Sequence, residues 1–149
     1  MKKSGIKIRE ARKKDIPQMM KIIKINFPRY SKDLAFKELN DMFSNSLYKP
    51  TYVVAVEKGN IIGFNGYIVS WVDNLVVDIF WVNTHPDFYG KGIQSTLMKE
   101  TIRRIKDIRN PKMKLILIST AIPTFFQKFG FRKIGTKYDG KYILMEKRL

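Results

Sequence analysis

Cysteine is absent from the 149 residues, and histidine occurs once, at His85. The first absence excludes disulfides and thiolate metal sites; the second excludes a histidine-rich metal centre. Apolar runs long enough to span a membrane, roughly 18 residues, are also missing. The basic start Met1-Lys2-Lys3-Ser4-Gly5 leads into no apolar stretch, so neither a signal peptide nor membrane association is expected, and the expected location is cytoplasmic. Acidic residues are scarce: 13 Asp+Glu stand against 29 Lys+Arg, a formal net charge of +16. Hydrophobic residues, in contrast, make up 44% of the chain, too many for a disordered segment. The length suits one domain with its own core.

The positive charge attracts polyanions, whether nucleic acid or phosphate-bearing small molecules. Part of it is compositional habit, since 21 Lys accompany 8 Arg and 19 Ile. Its distribution is more informative. Residues 1–50 hold 13 basic and 5 acidic side chains, residues 51–100 hold 3 and 5, and residues 101–149 hold 13 and 3. Two basic ends around a mildly acidic middle suit a small anionic ligand entering from the rim better than a continuous nucleic-acid stripe. A nucleic-acid-binding role remains as an alternative, but no helix-turn-helix signature, RNP-like aromatic-basic pair or zinc spacing accompanies it.

Hydrophobic periodicity and turn signals predict eleven elements. Ile6–Arg9 reads as a strand. Asp15 caps a helix beginning Ile16-Pro17 and ending near Pro28, with Ile16, Met19, Met20, Ile22 and Ile23 on its apolar face. Ser31 caps a second helix to about Phe43, with Leu34, Phe36, Leu39, Met42 and Phe43 as its apolar residues. Strands follow at Tyr52–Val56, Ile61–Ser70 and Leu75–Thr84, separated by turns at Lys58-Gly59-Asn60 and Asp73-Asn74. A helix from Ile93 to about Ile108, a strand at Lys114–Ser119 and a short helix at Pro123–Phe129 come next. Phe131–Thr136 and Tyr142–Glu146 close as a hairpin around Asp139-Gly140. The order β-α-α-β-β-β-α-β-α-β-β predicts an α/β fold with one mixed sheet and helices on its faces.

The chemistry concentrates in the loop after the long strand. In Thr84-His85-Pro86-Asp87-Phe88-Tyr89-Gly90-Lys91-Gly92-Ile93-Gln94, glycines let backbone N–H groups approach an anion, the helix start adds a favourable dipole, and Lys91 adds a charge. The run is neither a Rossmann nor a Walker A sequence. From Asp78 to Ile93 it resembles the acetyl-CoA-binding motif of the GCN5-related N-acetyltransferase superfamily, Gln/Arg-x-x-Gly-x-Gly/Ala. Phe125-Phe126-Gln127-Lys128-Phe129-Gly130-Phe131 is similar to a second segment of that superfamily. The order of elements over residues 6–147 also matches, so residues 1–149 form a single acyl-CoA N-acyltransferase-like domain on this resemblance.

The resemblance implies an acetyl-CoA site where the parallel strands Leu75–Thr84 and Lys114–Ser119 splay. The Val82 and Thr84 backbones would meet the pantetheine and thioester. The amides from Tyr89 through Gly90, Lys91, Gly92 and Ile93 to Gln94 would hold the pyrophosphate. Gly92 falls on the first required glycine; Tyr89 and Gln94 depart from the signature. The implied activity is acetyl transfer to a primary amine of a small molecule or a protein terminus.

Such transfer needs a base, an oxyanion donor and a way for the thiolate to leave. Asp78, where the resemblance implies an acidic residue, is the candidate base, on the face of Phe80, Val82 and Thr84 if no bulge intervenes. The Val82 amide is the candidate oxyanion donor. Phe126 stands where many relatives place a thiolate-protonating Tyr, leaving Tyr138 or Tyr142 as substitutes. The resulting alternative is a non-catalytic protein that binds or senses CoA. His85, beside Pro86, is read as a structural loop residue. Phe27, Pro28, Arg29, Tyr30 and the turn at Trp71 are expected to line the acceptor approach. A homodimer through Phe88 and Tyr142–Met145 is an allowed assembly.

Overall fold

Turn chemistry organises the first half of the sheet. Lys58 and Gly59 both take positive φ, 49° and 80°, and form the two-residue loop between strands Thr51–Glu57 and Asn60–Val69. Asp73 makes the next turn: its carbonyl accepts from Val76 N–H (3.1 Å) and its Oδ1 from Leu75 N–H (2.8 Å).

The computed structural model describes residues 5–135 and 141–149. Its elements are β1 (Ile6–Glu10), α1 (Ile16–Asn26), α2 (Lys32–Asn40), β2 (Thr51–Glu57), β3 (Asn60–Val69), β4 (Val76–Thr84), α3 (Ile93–Lys106), β5 (Leu115–Thr120), α4 (Pro123–Gln127), β6 (Arg132–Lys133) and β7 (Ile143–Arg148). Short 3-10 turns occupy Lys13–Asp15, Asp41–Phe43 and Pro86–Phe88. The strands form one mixed sheet in the order β1-β2-β3-β4-β5-β7-β6, in which β4–β5 is the parallel pair. The fold class and the element order are those the sequence predicts. The Asp139-Gly140 turn and Tyr138 lie outside the described residues.

Each sheet face buries its own core. Ile16, Met19, Ile22, Ala35 and Leu39 of α1 and α2 pack on Tyr52, Val54 and Phe64. On the other face, Met98, Ile102 and Ile105 of α3 and Phe126 of α4 pack on Val77, Ile79, Ile116, Ile118 and Met145. Each fully buried side chain of this kind contributes about 1.5–3 kcal/mol.

Two local expectations change. Asp15 does precede α1, but its carboxylate does not cap that helix. It turns back to accept from Arg12 N–H (2.7 Å) and from both terminal nitrogens of Arg9 (2.7 and 3.1 Å). In α2, Ser31 Oγ caps Leu34 N–H as expected (3.2 Å), but Leu34 and Phe36 are 48% and 53% exposed while Ala35 and Leu39 are buried. The helix is rotated from the face its large apolar residues suggest, which brings Glu38 to the inner edge.

Candidate active site at the strand opening

The site begins where parallel pairing ends. β4 pairs β5 only from Val76–Leu115 to Ile79–Ile118, and beyond this the two strands part. On the other side of β4 the register with β3 shifts between Phe64 and Gly66. Two β4 residues, Trp81 and Val82, therefore fill the interval facing Asn65. The bulge turns at Trp81, whose φ is 48°, an uncommon backbone conformation for a bulky residue. Gly66 makes room beside it: a Cβ there would lie 2.8 Å from Tyr52 Cε1 and 2.9 Å from Phe80 Cε2.

The bulge changes which side chains share a face. Phe80 and Trp81 both pack toward α1 and α2, whereas Val82 packs with the opposite cluster. Asp78 shares the face of Phe80 but not that of Val82. It lies beside Ile68 and Leu117 in the sheet, lines neither of the cavities described below, and its carboxylate has no hydrogen-bond partner among the described residues. Partial burial raises its pKa. The expectation that it shares a face with Val82 is corrected on these grounds.

Backbone donors collect at the opening. His85 N–H bonds Ile62 O (2.8 Å) on the β3 side. Strand alternation turns the Val82 and Thr84 N–H groups to the other edge, the one β5 has left. His85 Nδ1 accepts from Asp87 N–H (3.1 Å) and fixes the following turn, which agrees with a loop role. Gly90 and Gly92 take φ of 76° and 75°, and Gly92 is the N-cap residue of α3. The first helical bond runs from Thr96 N–H to Gly92 O (3.1 Å). The N–H groups of Gly90, Lys91, Gly92, Ile93, Gln94 and Ser95 make no hydrogen bond to any described residue. Six successive open amides at a helix N-terminus form an anion-binding concavity.

The walls are tied together by side chains. Asn26 Nδ2, at the end of α1, donates to Asn83 Oδ1 (2.9 Å) and Thr84 O (3.0 Å), and accepts at Oδ1 from Tyr89 Oη (2.8 Å). Gln94 folds back on the strand end, its Nε2 donating to Asn83 O (3.1 Å) and Thr84 Oγ1 (3.3 Å). The Lys91 ammonium stands 5.2 Å over the Phe88 ring. A first cavity of about 590 Å³ runs along this wall, lined by Val82, Asn83, Thr84, Tyr89, Gly90, Gly92, Ile93, Gln94 and Ser95.

A second cavity of about 590 Å³ lies across the opening, and Phe27, Val82 and Ile122 line both. Phe126 lines only the second; it is 1% exposed and held edge-on by Phe125 and Phe131 at 5.0 and 5.9 Å. Tyr142 lines it too, whereas Arg29 and Trp71 do not. The charged side chain in its lining is Glu38, a residue the sequence reading missed. Glu38 accepts from Tyr30 Oη (2.9 and 3.0 Å to its two oxygens) and from Trp81 Nε1 (3.2 Å). The Tyr30 hydroxyl is pushed up to about 12, first by burial and then by the Glu38 carboxylate. The indole of Trp81 meets the rings of Phe27 and Tyr30 edge-on at 5.5 and 4.8 Å. Among the described residues no His/Cys/Asp/Glu group could hold a metal ion, and no helix is long and apolar enough to cross a membrane.

Comparison with known proteins follows the same lines. Residues 49–133 match the family profile described as Acetyltransferase (GNAT) domain. A GNAT-family acetyltransferase of Staphylococcus aureus Mu50 superposes with a TM-score of 0.78 at 19% identity, covering 97% of this chain and 99% of that one. The PaiA N-acetyltransferase of Thermoplasma acidophilum, solved in complex with coenzyme A, gives 0.75 at 18% identity with the same coverage, 97% and 99%. An aminoglycoside 6'-N-acetyltransferase complexed with coenzyme A gives 0.77 at 15% identity, covering 95% and 96%. At these identities the likeness is one of fold. No curated protein sequence matches the chain significantly.

Proposed function

The chain belongs to the GNAT acetyltransferase family, and on that premise we propose that it transfers an acetyl group from acetyl-CoA to a primary amine of a small molecule or protein terminus. The observation that carries this reading is the run of six open amides, Gly90 to Ser95, beside the parted strands. Coenzyme A presents a pyrophosphate at one end and a thioester at the other, and the first cavity offers donors for both. The residues fit this group. The amides and the positive end of α3 suit the pyrophosphate, and the Val82 and Thr84 N–H groups suit the arm that carries the thioester. Gln94, one of the two departures from the family signature, has its side chain engaged by the strand end and leaves its own backbone amide open.

Acetyl-CoA supplies an activated carbonyl carbon. This chain supplies the Val82 N–H as the donor for a carbonyl oxygen that gains negative charge. Phe126 forms part of the wall of the second cavity and has no proton to give, while the Tyr142 phenol lines the same cavity. The acceptor enters from the second cavity, on the far side of Val82. A thiol-release assay with acetyl-CoA and a panel of primary amines tests the reading: amine-dependent release supports it. Phe126 favours one second reading, a protein that binds coenzyme A without turnover. Acetyl-CoA binding with no thiol release from any amine would establish that reading instead.

A further inference from the structure

The second cavity is chemically unlike the surface around it. The chain carries 29 Lys+Arg, yet the charged side chain among the described residues lining this cavity is a carboxylate, Glu38. Aromatic side chains surround it: Phe27, Tyr30, Phe80, Trp81 and Tyr142. A ligand with an ammonium group on an apolar body gains from both features, the carboxylate by charge and the aromatic walls by apolar burial.

Glu38 is also held for the task. Tyr30 Oη and Trp81 Nε1 donate to it, which fixes the carboxylate while leaving acceptor capacity on a group with about four lone-pair positions. The Trp81 bond exists only because the bulge puts a bulky residue at φ 48° and swings its indole to the face of Phe80. Strain of this kind persists where surrounding contacts over-determine it, here the Glu38 bond and the edge-on rings of Phe27 and Tyr30.

We propose that Glu38, braced by Tyr30 and Trp81, recognises the acceptor, and that the second cavity takes a compound with one ammonium group on an apolar body and no neighbouring carboxylate. This rests on the acetyltransferase reading for its function but not for its binding chemistry. A carboxylate beside the ammonium would face Glu38 with like charge, and a second ammonium would find no second carboxylate in the described lining. The neutral analogue forfeits the charge pair. The pocket therefore selects for the charge as well as for the apolar body.

Calorimetric titration of the full chain, with and without coenzyme A, tests this. The probes are 2-phenylethylamine, 2-phenylethanol, L-phenylalanine and spermidine. The amine is expected to bind at least about tenfold more tightly than the other three. Glu38→Gln is expected to weaken the amine at least about tenfold, while Asp33→Asn, which removes the same charge from an exposed site on α2, leaves it unchanged. Should Glu38→Gln fail to fold by circular dichroism, Trp81→Phe, which removes the indole donor while keeping an aromatic ring, is expected to weaken the amine about threefold. Equal binding of the alcohol or the amino acid, an unaffected Glu38 variant, or coenzyme A binding without amine binding would overturn the proposal. Amine binding without coenzyme A binding would leave it standing and remove the acetyltransferase reading.

Discussion

At Gly92 the backbone turns into α3 with φ of 75°, and a Cβ there would meet no atom within 4 Å. The demand for glycine is therefore conformational rather than steric. Gly92→Ala is expected to cost about 1 kcal/mol of stability and to weaken acetyl-CoA binding by turning the amides at the helix start. Thermal melts and calorimetry check the two effects separately. Gln94 makes the opposite case. Its side chain is bonded to the strand end, so Gln94→Ala should lose about 1 kcal/mol of stability while acetyl-CoA affinity stays within about threefold. A large gain in affinity would mean that the side chain crowds the phosphates. The two glycines alone also suit a tight turn, and it is the second motif, Phe125 to Phe131, that makes the loop legible as a site. The resemblance points to Asp78 and alternation assigns its face, but one left-handed residue at Trp81 voids alternation beyond it. Nothing local in the sequence marks that turn, since a tryptophan is a poor choice for positive φ. Glu38 was hidden for a related reason: the larger apolar residues of α2 point outward, and the inner edge is marked only by Ala35 and Leu39 on either side of it.

Among the elements, the entry to α1 carries the clearest electrostatic dependence. Burial alone would raise the Asp15 carboxyl, but the Arg9 guanidinium and the Arg12 N–H outweigh it and hold its pKa below the ordinary carboxylate range. A depressed folded-state pKa stabilises the protein above the unfolded value, near 3.9, and that contribution is lost as pH falls through the folded value. Asp15→Asn should therefore lower stability by about 2 kcal/mol at neutral pH. Urea unfolding should show the difference from the parent chain shrinking as the solution becomes strongly acidic; a constant difference would contradict the assignment. Much at this scale was readable in advance. The Lys58-Gly59 turn, the Ser31 cap and the β-branched run of β4 each announce their element by local chemistry. The placement of β7 between β5 and β6, and the point where β4 leaves β5, are products of tertiary packing with no short-range signal.

For the whole molecule the formal charge of +16 has two consequences. Self-repulsion opposes the folded state, and the field favours an anionic ligand. Raising sodium chloride from about 10 mM to about 0.5 M shortens the screening length several-fold. The melting temperature should rise over that range while acetyl-CoA affinity falls. A melting temperature that drops with salt would show that attractive pairs, such as Arg132–Glu146 and Arg104–Glu100, dominate over repulsion. The acidic middle third of the sequence maps onto β2, β3, β4 and the amide loop, while β5, the other strand of the opening, belongs to the basic last third. The central claim is that the amides of Gly90 to Ser95 and the edge of β4 form a site for acetyl-CoA. Calorimetric titration of the purified protein at physiological salt, with ATP as the anion control, tests it most directly. Preferential binding of acetyl-CoA, weakened in Gly92→Ala, is the predicted result. Binding no tighter than that of ATP would contradict the account, because it would reduce the open amides to a general attraction for phosphate.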